Sequence, residues 1–341
     1  MRQGGGRSER RRGPERRRSH SWGGPLLIDT SSFPSGLTTR PARQADLRAV
    51  TELLRDAELV DRGDAEMTPE DVASVWSMPD FDLERESRMI FDDDRLVGYG
   101  EVYQWRAEAT VHPSARDRGI GTALVAWTEQ ATLARRSLDE EARIGQTIID
   151  SNHTAIDLFK RSGYTPRHTS WALRMPAEVE IGDHPLPEGY EIRLFEEEDE
   201  RQVFQVVEDA FNEWPNRTPS TFEKWKSWVT LRDDFDPSLV FVATYDGKVV
   251  GAAVGLSYPD EGWVHQLAVQ RDHRRKGLAK ALLKTAFDQM RMLGFPEVGL
   301  STDSRTGALD LYLDLGMEVR QSYTHYSKLL RPAAIAREDD R

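Results

Sequence analysis

The sequence contains no cysteine among its 341 residues. Disulfides, thiolate metal sites and a cysteine nucleophile are therefore excluded, so any acyl transfer does not pass through an acyl-cysteine. The lack of cysteine is consistent with a cytoplasmic protein, which we take as an expectation. The eight histidines show no ligand-like clustering, so we expect no metal site.

Long apolar runs are also missing. No run approaches the roughly 20 residues of a membrane span, and no apolar core of a secretory signal follows the N-terminal arginines. The formal net charge is −12, and residues 1–18 carry +6, so the rest of the chain carries −18. This acidic excess argues against nucleic acid as the main ligand and mildly favours a cationic substrate. We expect neither a nucleic-acid nor a membrane partner.

One short pattern occurs twice in the chain, first over Ala109–Leu124 and again over Leu267–Leu282. Each copy has a β-rich end, then a basic turn that contains glycine, then a helix-forming run. Small residues let the backbone approach a ligand closely, and the N–H groups that open a helix point toward an anion. The pattern predicts two pyrophosphate-binding turns, one in each of two related domains.

The elements around the two turns keep the same order and nearly the same spacing. Gly119 precedes Gly277 by 158 positions. Farther along, Gly163 precedes Gly316 by 153 positions. We assign the five-residue difference to a longer loop at 137–142, because coincidental glycine turns would not keep their flanking elements in step.

The segment before each turn has the pattern of a β-hairpin. Residues 87–103 form two β-rich runs around an acidic turn. Residues 240–254 repeat this pattern around Asp246-Gly247, a strong signal for a type I′ turn. The run at 121–136 after the first turn predicts a helix.

Composition and the repeat together predict the organisation of the chain. Its length is sufficient for two domains with their own cores. The predicted segments are a disordered basic tail at 1–35, an N-terminal domain at 36–176, a linker at 177–188, a C-terminal domain at 189–331 and a flexible tail at 332–341.

With these motifs in view, each half resembles the GNAT family of acyl-CoA-dependent N-acetyltransferases. The family turn Q/R-x-x-G-x-G/A is matched by Arg116–Gly121 and Arg274–Ala279. A later family motif is matched in part by Asn152–Tyr164 and Arg305–Met317. The tandem layout is similar to that of mycothiol synthase and other tandem GNAT proteins. The resemblance implies an α/β fold of two tandem GNAT-like domains, each a mixed, mostly antiparallel twisted sheet flanked by helices with a splayed central strand pair.

The resemblance also implies acetyl-CoA as the cofactor, held by the two turns and by the strand before each. In the first half the implied cofactor-binding residues are Thr110, Val111, Arg116, Arg118, Gly119, Ile120, Gly121, Thr122 and Asn152. In the second half they are Leu267, Ala268, Val269, Arg274, Arg275, Lys276, Gly277, Leu278, Ala279, Lys280 and Arg305.

By the same resemblance, Tyr312 is the candidate that protonates the departing thiolate. Its counterpart in the first half is Phe159, which has no proton to give, so we expect the second half to be the active one. The general base is left open between His265, Glu261 and Glu213.

Two alternatives remain. In one, the first half is the active one, because its turn at Arg118–Thr122 matches the family pattern more closely. In the other, the chain is a catalytically silent protein that binds acyl-CoA and interacts with a partner.

The expected reaction is direct attack of a primary amine on acetyl-CoA in a ternary complex, with no acyl-enzyme. We expect a small-molecule acceptor, with a protein acceptor as the alternative, and a monomer or homodimer. Trp263 and Leu300 occupy the places where mycothiol synthases carry an acidic residue and a tyrosine that face the acceptor. This departure from the mycothiol synthase pattern implies an acceptor other than the mycothiol precursor.

Overall fold

A computed structural model describes residues 33–331, apart from residues 79, 104, 136–141, 215, 216 and 218. The predicted C-terminal tail lies outside the described residues, as do nearly all of the N-terminal tail and of the loop at 137–142. The bounds of the two predicted domains and of the linker stay a prediction.

The first half of the chain alternates helices and strands in the predicted order. Its elements are β1 (Leu37–Arg40), α1 (Leu47–Arg62), α2 (Pro69–Trp76), α3 (Leu83–Glu86), β2 (Ser87–Asp92), β3 (Arg95–Tyr103), β4 (Arg106–Val111), α4 (Ile120–Ala134), β5 (Ala142–Ile149), α5 (His153–Arg161) and β6 (Thr165–Pro176).

The second half repeats this order. Its elements are β7 (Tyr190–Leu194), α6 (Glu200–Phe211), α7 (Phe222–Trp228), β8 (Val240–Tyr245), β9 (Lys248–Tyr258), β10 (Glu261–Val269), α8 (Leu278–Met292), β11 (Glu297–Asp303), α9 (Leu309–Leu313) and β12 (Glu318–Leu330).

The strands of both halves join one twelve-stranded sheet, in the order β1-β2-β3-β4-β5-β12-β6-β11-β10-β9-β8-β7. The two halves exchange their last strands. β12 pairs antiparallel with β5 of the first half, and β6 pairs antiparallel with β11 of the second half. β6 and β12 also pair with each other at the centre of the sheet. The halves therefore share a continuous backbone hydrogen-bond ladder.

Each half contains one parallel strand pair that splays apart. β4 and β5 pair only at Arg106 with Gly145. β10 and β11 pair over four positions, from Glu261 with Glu297 to Val264 with Leu300, before they separate. The opening is therefore longer on the β4 side.

Alternation along β3 sends its side chains to two different layers. A Cβ at Gly100 would meet Leu124 and Trp127 of α4, which pack on one face of the sheet. Tyr99 instead belongs to the cluster that β3 forms with Val50 and other residues of α1 and α2 on the opposite face. In the second half, α8 and α6 cover the corresponding faces.

The two glycine turns have the same backbone conformation. Asp117 and Gly119 have φ of 62° and 81°, and Arg275 and Gly277 have φ of 61° and 84°. Asp246, with φ of 49°, and Gly247 complete the predicted type I′ hairpin.

A buried arginine joins the halves at the exchanged strands. Arg174 on β6 donates through Nε and Nη2 to the two carboxylate oxygens of Glu261, at 2.7 and 3.1 Å. It also contacts Glu66, in the loop between α1 and α2, and donates to Gln321 on β12 at 2.9 Å. This cluster ties the loop after α1 to β10.

Candidate active site

A cavity of about 430 Å³ lies between the splayed strands β4 and β5. The first glycine turn closes one end of it, where Gly119, Gly121 and Thr122 line the wall. Gly119 is the N-cap residue of α4 and provides no side-chain cap, so the first N–H groups of this helix have no capping partner among the described residues. Free amides and a helix N-terminus at the end of a long cleft suit a phosphate group.

The polar residues predicted around the first turn lie near this cavity, and most are held by neighbouring side chains. Arg116 forms a two-point ion pair with Asp61 of α1, at 2.6 and 2.8 Å. Asn152 donates to the same carboxylate at 3.1 Å and caps α5 through the N–H of Ala155. Arg118 pairs with Asp92 and does not line the cavity.

The other predicted residues of the first half divide between cavity and core. Thr110 and Val111 line the cavity from β4. Ile120 begins α4 and is buried in the core.

The predicted residues around the second turn are also tied to their surroundings. Arg274 pairs with Glu213 at 2.8 Å, and Lys276 donates to the hydroxyl of Tyr190 at 2.8 Å. Arg305 pairs with Asp303 on β11.

The remaining second-half candidates fall into two groups. The buried ones are Ala268, Val269 and Leu278. The others, which retain some exposure, are Leu267, Arg275, Gly277, Ala279 and Lys280. Among the described residues, Arg275 and Lys280 have no ion-pair partner.

A second cavity, of about 210 Å³, adjoins the first on the α1–α2 side of β4. Both cavities are lined by Arg106, Glu108 and Thr110, so they meet along this strand. Ligands bound in the two cavities would therefore be neighbours along β4. The second cavity is also lined by Trp228 of α7, which belongs to the second half.

A chain of hydrogen bonds ends at a buried carboxylate in the second cavity. Trp76 donates from Nε1 to the Tyr99 hydroxyl at 2.9 Å, and Tyr99 donates to Oε2 of Glu101 at 2.6 Å. Burial and the nearby charge of Glu108 raise the pKa of Glu101 to about 7. A carboxylate with this pKa can accept a proton at neutral pH.

The second half has no such group at the matching place. β3 pairs Glu101 with Glu108, and β9 pairs Val254 with Gln266 in the same register. Val254 is fully buried beneath Trp225, in a cluster with α6 and α7. Trp225 donates to the Gln266 side chain at 3.0 Å. Core side chains therefore fill the face that carries a cavity in the first half.

Tyr312, the predicted proton donor, lies in the main core cluster of the second half. Its side chain is 8% exposed, and burial raises its pKa to about 12. Phe159, its counterpart, lines the first cavity.

The three candidate bases of the second half are in different situations. Glu261 is held by Arg174, and its pKa is raised because burial outweighs this pairing. Glu213 is paired with Arg274, which lowers its pKa. His265 sits on a bulge of β10 and is exposed to solvent.

Comparison with known sequences now decides the family. The profile of the Acetyltransferase (GNAT) family matches residues 47–164 and again residues 198–317. The chain belongs to the GNAT family. The expected tandem GNAT fold and the expected class, an acyl-CoA-dependent N-acetyltransferase with acetyl-CoA as donor, are confirmed at the level of the family.

Individual GNAT relatives match most of the chain. A mycothiol acetyltransferase of Pseudarthrobacter chlorophenolicus is 31% identical over 223 residues, which are 61% of this chain and 65% of that protein. The match thus spans just under two thirds of that relative.

Two solved structures share the tandem fold. The GCN5-related N-acetyltransferase from Sphaerobacter thermophilus is 31% identical, with a TM-score of 0.72 over 88% of this chain and 98% of that one. A tandem GNAT protein from the clavulanic acid biosynthesis pathway is 15% identical, with a TM-score of 0.66 over 86% and 98%. The second likeness concerns the fold alone.

The residues of the first-half cleft fit acetyl-CoA. Gly119 and Gly121 line the phosphate end without a side chain that obstructs it, and β4 leaves an open edge toward β5 beyond Arg106. Within the described part of the chain, no cluster of three acidic or histidine side chains suits a metal ion. No helix in the same part is long and apolar enough to cross a membrane.

The sequence analysis missed Tyr99, Glu101 and Tyr323 as site residues. The sequence did carry a signal for Tyr99 and Glu101. In the first half these two positions of a buried strand hold polar side chains, whereas the matching positions of the second half hold Ala252 and Val254. Tyr323 lines the first cavity only because β12 crosses to the first half, and Trp228 reaches the second cavity from the other half.

Proposed function

We propose that this chain acetylates a small primary amine and that turnover takes place in the first half. The carrying observation is Glu101, a buried carboxylate in a cavity that meets the cofactor cleft along β4. Acetyl-CoA occupies the cleft between β4 and β5, and the amine enters the adjoining cavity. The glycine turn of the second half has a scaffold role or binds cofactor without turnover.

The contrast between the halves supports this assignment. Both retain the turn conformation and a splayed strand pair, so both keep the features that bind a cofactor. They differ on the acceptor side, where Tyr99 and Glu101 correspond to Ala252 and Val254. A hydrophobic face with Trp225 packed on it offers an amine neither space nor a base.

Acetyl-CoA, when bound, supplies the thioester whose carbonyl carbon the amine attacks. The N–H groups at the start of α4 bind the diphosphate, and the open edge of β4 at 109–111 hydrogen-bonds the pantetheine arm. The new C–N bond forms as the C–S bond breaks, in a ternary complex. Glu101 takes the proton from the amine nitrogen, and the hydrogen bond from the Tyr99 hydroxyl to its Oε2 holds the carboxylate in place in the cavity lining.

The departing sulfur takes a proton, and we assign its donor to Tyr323. It is the phenol among the described residues that line the first cavity, and burial raises its pKa, so it keeps its proton at neutral pH. Phe159 occupies the place of the usual tyrosine and packs against Tyr164 at a ring distance of 4.8 Å.

A matched pair of variants tests which half turns over. Gly119→Trp and Gly277→Trp place the same bulky side chain in turns of the same conformation. We expect Gly119→Trp to abolish amine-dependent release of CoA and Gly277→Trp to retain it, with folding of both checked by circular dichroism. The reverse pattern would assign turnover to the second half. Binding of acetyl-CoA with no turnover on any amine would instead support a silent binding protein.

A further inference from the structure

The lining of the acceptor cavity indicates which class of amine it binds. This inference rests on the proposed function of the first half. Apolar and aromatic side chains form most of the wall, among them Met67, Val72, Met78, Tyr103 and Trp228. The cavity measures about 210 Å³, half the volume of the neighbouring cleft. Such a lining favours a compact apolar group over a sugar, whose hydroxyls would lose water without gaining partners.

Two of the three carboxylates that line this cavity are paired with arginines. Asp71 is paired with Arg232 at 3.1 Å, and Glu108 is paired with Arg106. Glu101 is left as the carboxylate without an ion-pair partner among the described residues. The site thus has one available anionic group, which matches one amine.

Trp228 is supplied by α7, so the second half forms part of the pocket in the first. The ion pair between Asp71 of α2 and Arg232, just after α7, holds the two helices together. The Arg232 side chain is only 4% exposed and also pairs with Asp234. A buried pair of this kind fixes the position of α7, and with it the indole that lines the cavity.

We propose that the acceptor is a compact primary monoamine with an apolar, aryl or branched alkyl, substituent, and that Trp228 sets the size of substituent that the enzyme accepts. The second half would then have lost its own acceptor pocket and would act as the wall of the first. This accounts for an exchange of strands that keeps the two halves in one sheet.

The test measures CoA release by the full-length chain with acetyl-CoA and four amines: phenethylamine, 2-(1-naphthyl)ethylamine, glucosamine and putrescine. We expect kcat/KM for phenethylamine to exceed the values for glucosamine and putrescine by about 100-fold. Trp228→Ala is expected to move the preference toward the naphthyl amine, and Trp228→Phe to give an intermediate change. Phe222→Ala is the control, because Phe222 is on the same helix but packs on Phe204.

The outcomes separate the two proposals. Glu101-dependent acetylation that favours glucosamine or putrescine would overturn the inference on substrate class and leave the proposed function standing. An unchanged preference in Trp228→Ala would overturn the role of Trp228. Turnover that requires the second glycine turn and not the first would overturn the proposed function, and this inference with it.

Discussion

The Tyr99 hydroxyl donates a 2.6 Å hydrogen bond to Oε2 of Glu101, and both side chains belong to one strand. Residues two apart on a strand share a face, so the hairpin itself fixes this pair. The bond stabilises the charged carboxylate, whereas burial and Glu108 destabilise it, and the resulting pKa is about 7. Several expectations depend on this balance.

Glu101→Gln is expected to lower kcat by about 100-fold or more, because an amide cannot accept the proton from the amine. In the unmodified chain, Glu101 is protonated below pH 7 and ionised above it. We therefore expect kcat/KM to rise with pH through about 7 and this rise to disappear in the variant. Steady-state kinetics from pH 5.5 to 9 check both points, and unchanged affinity for acetyl-CoA is the control. A variant that retains full activity would exclude Glu101 as the base.

Two further variants should move that pH profile in opposite directions. Glu108→Gln removes a negative charge that raises the pKa of Glu101, so the rising limb should shift to lower pH. Tyr99→Phe removes a hydrogen bond that lowers this pKa, so the limb should shift to higher pH. If the two variants lost activity for structural reasons only, the plateau of kcat/KM would fall in both, and the rising limbs of their pH profiles would stay at the same pH.

Tyr99→Phe should also cost stability, because the buried Trp76 Nε1 loses its acceptor. We expect the free energy of unfolding to fall by about 1–3 kcal/mol.

The fold was largely predictable because its signals are local. The repeated turn needs small residues and positive φ at fixed positions, and these requirements are met at Gly119 and Gly277 alike. The β-rich runs on either side of an acidic turn, and Asp246-Gly247 in the second half, predicted the hairpins in the same way.

The exchange of the last strands was not predictable. β6 and β12 carry similar patterns, and nothing local decides which neighbour each of them joins. The position of Trp228 in the lining of the acceptor cavity is likewise set by tertiary packing, because this residue comes from the other half. The sequence pointed to Tyr312 because a motif marks its position, whereas no motif marks Glu101.

Tyr312→Phe distinguishes the interpretation based on that motif from the site around Glu101. Tyr312 lies in a core cluster, and its hydroxyl has no hydrogen-bond partner among the described residues. We therefore expect kcat and KM to stay within about twofold of the unmodified chain, since no transition-state interaction is removed. The matched variant Tyr323→Phe should lower kcat with little effect on acetyl-CoA affinity. A large loss of kcat in Tyr312→Phe alone would return the active site to the second half.

The last prediction concerns the contact between Arg174 and Glu261 across the exchanged strands. The Arg174→Met variant leaves a buried carboxylate without its guanidinium partner, which should lower the free energy of unfolding by about 3–5 kcal/mol. The pKa of Glu261 is already raised by burial, and loss of Arg174 raises it further. Ionisation of Glu261 then destabilises the fold, so the loss should be larger at pH 8 than at pH 5.

Urea unfolding at both pH values checks this expectation, and the double variant Arg174→Met, Glu261→Gln is the control. It removes the unpaired charge, so part of the stability should return and the pH dependence of the loss should weaken. Glu261→Gln alone retains the contacts of Arg174 with Glu66 and Gln321 and should cost less than Arg174→Met. If Glu261→Gln stays folded but loses turnover, Glu261 has a catalytic role that a structural ion pair does not explain.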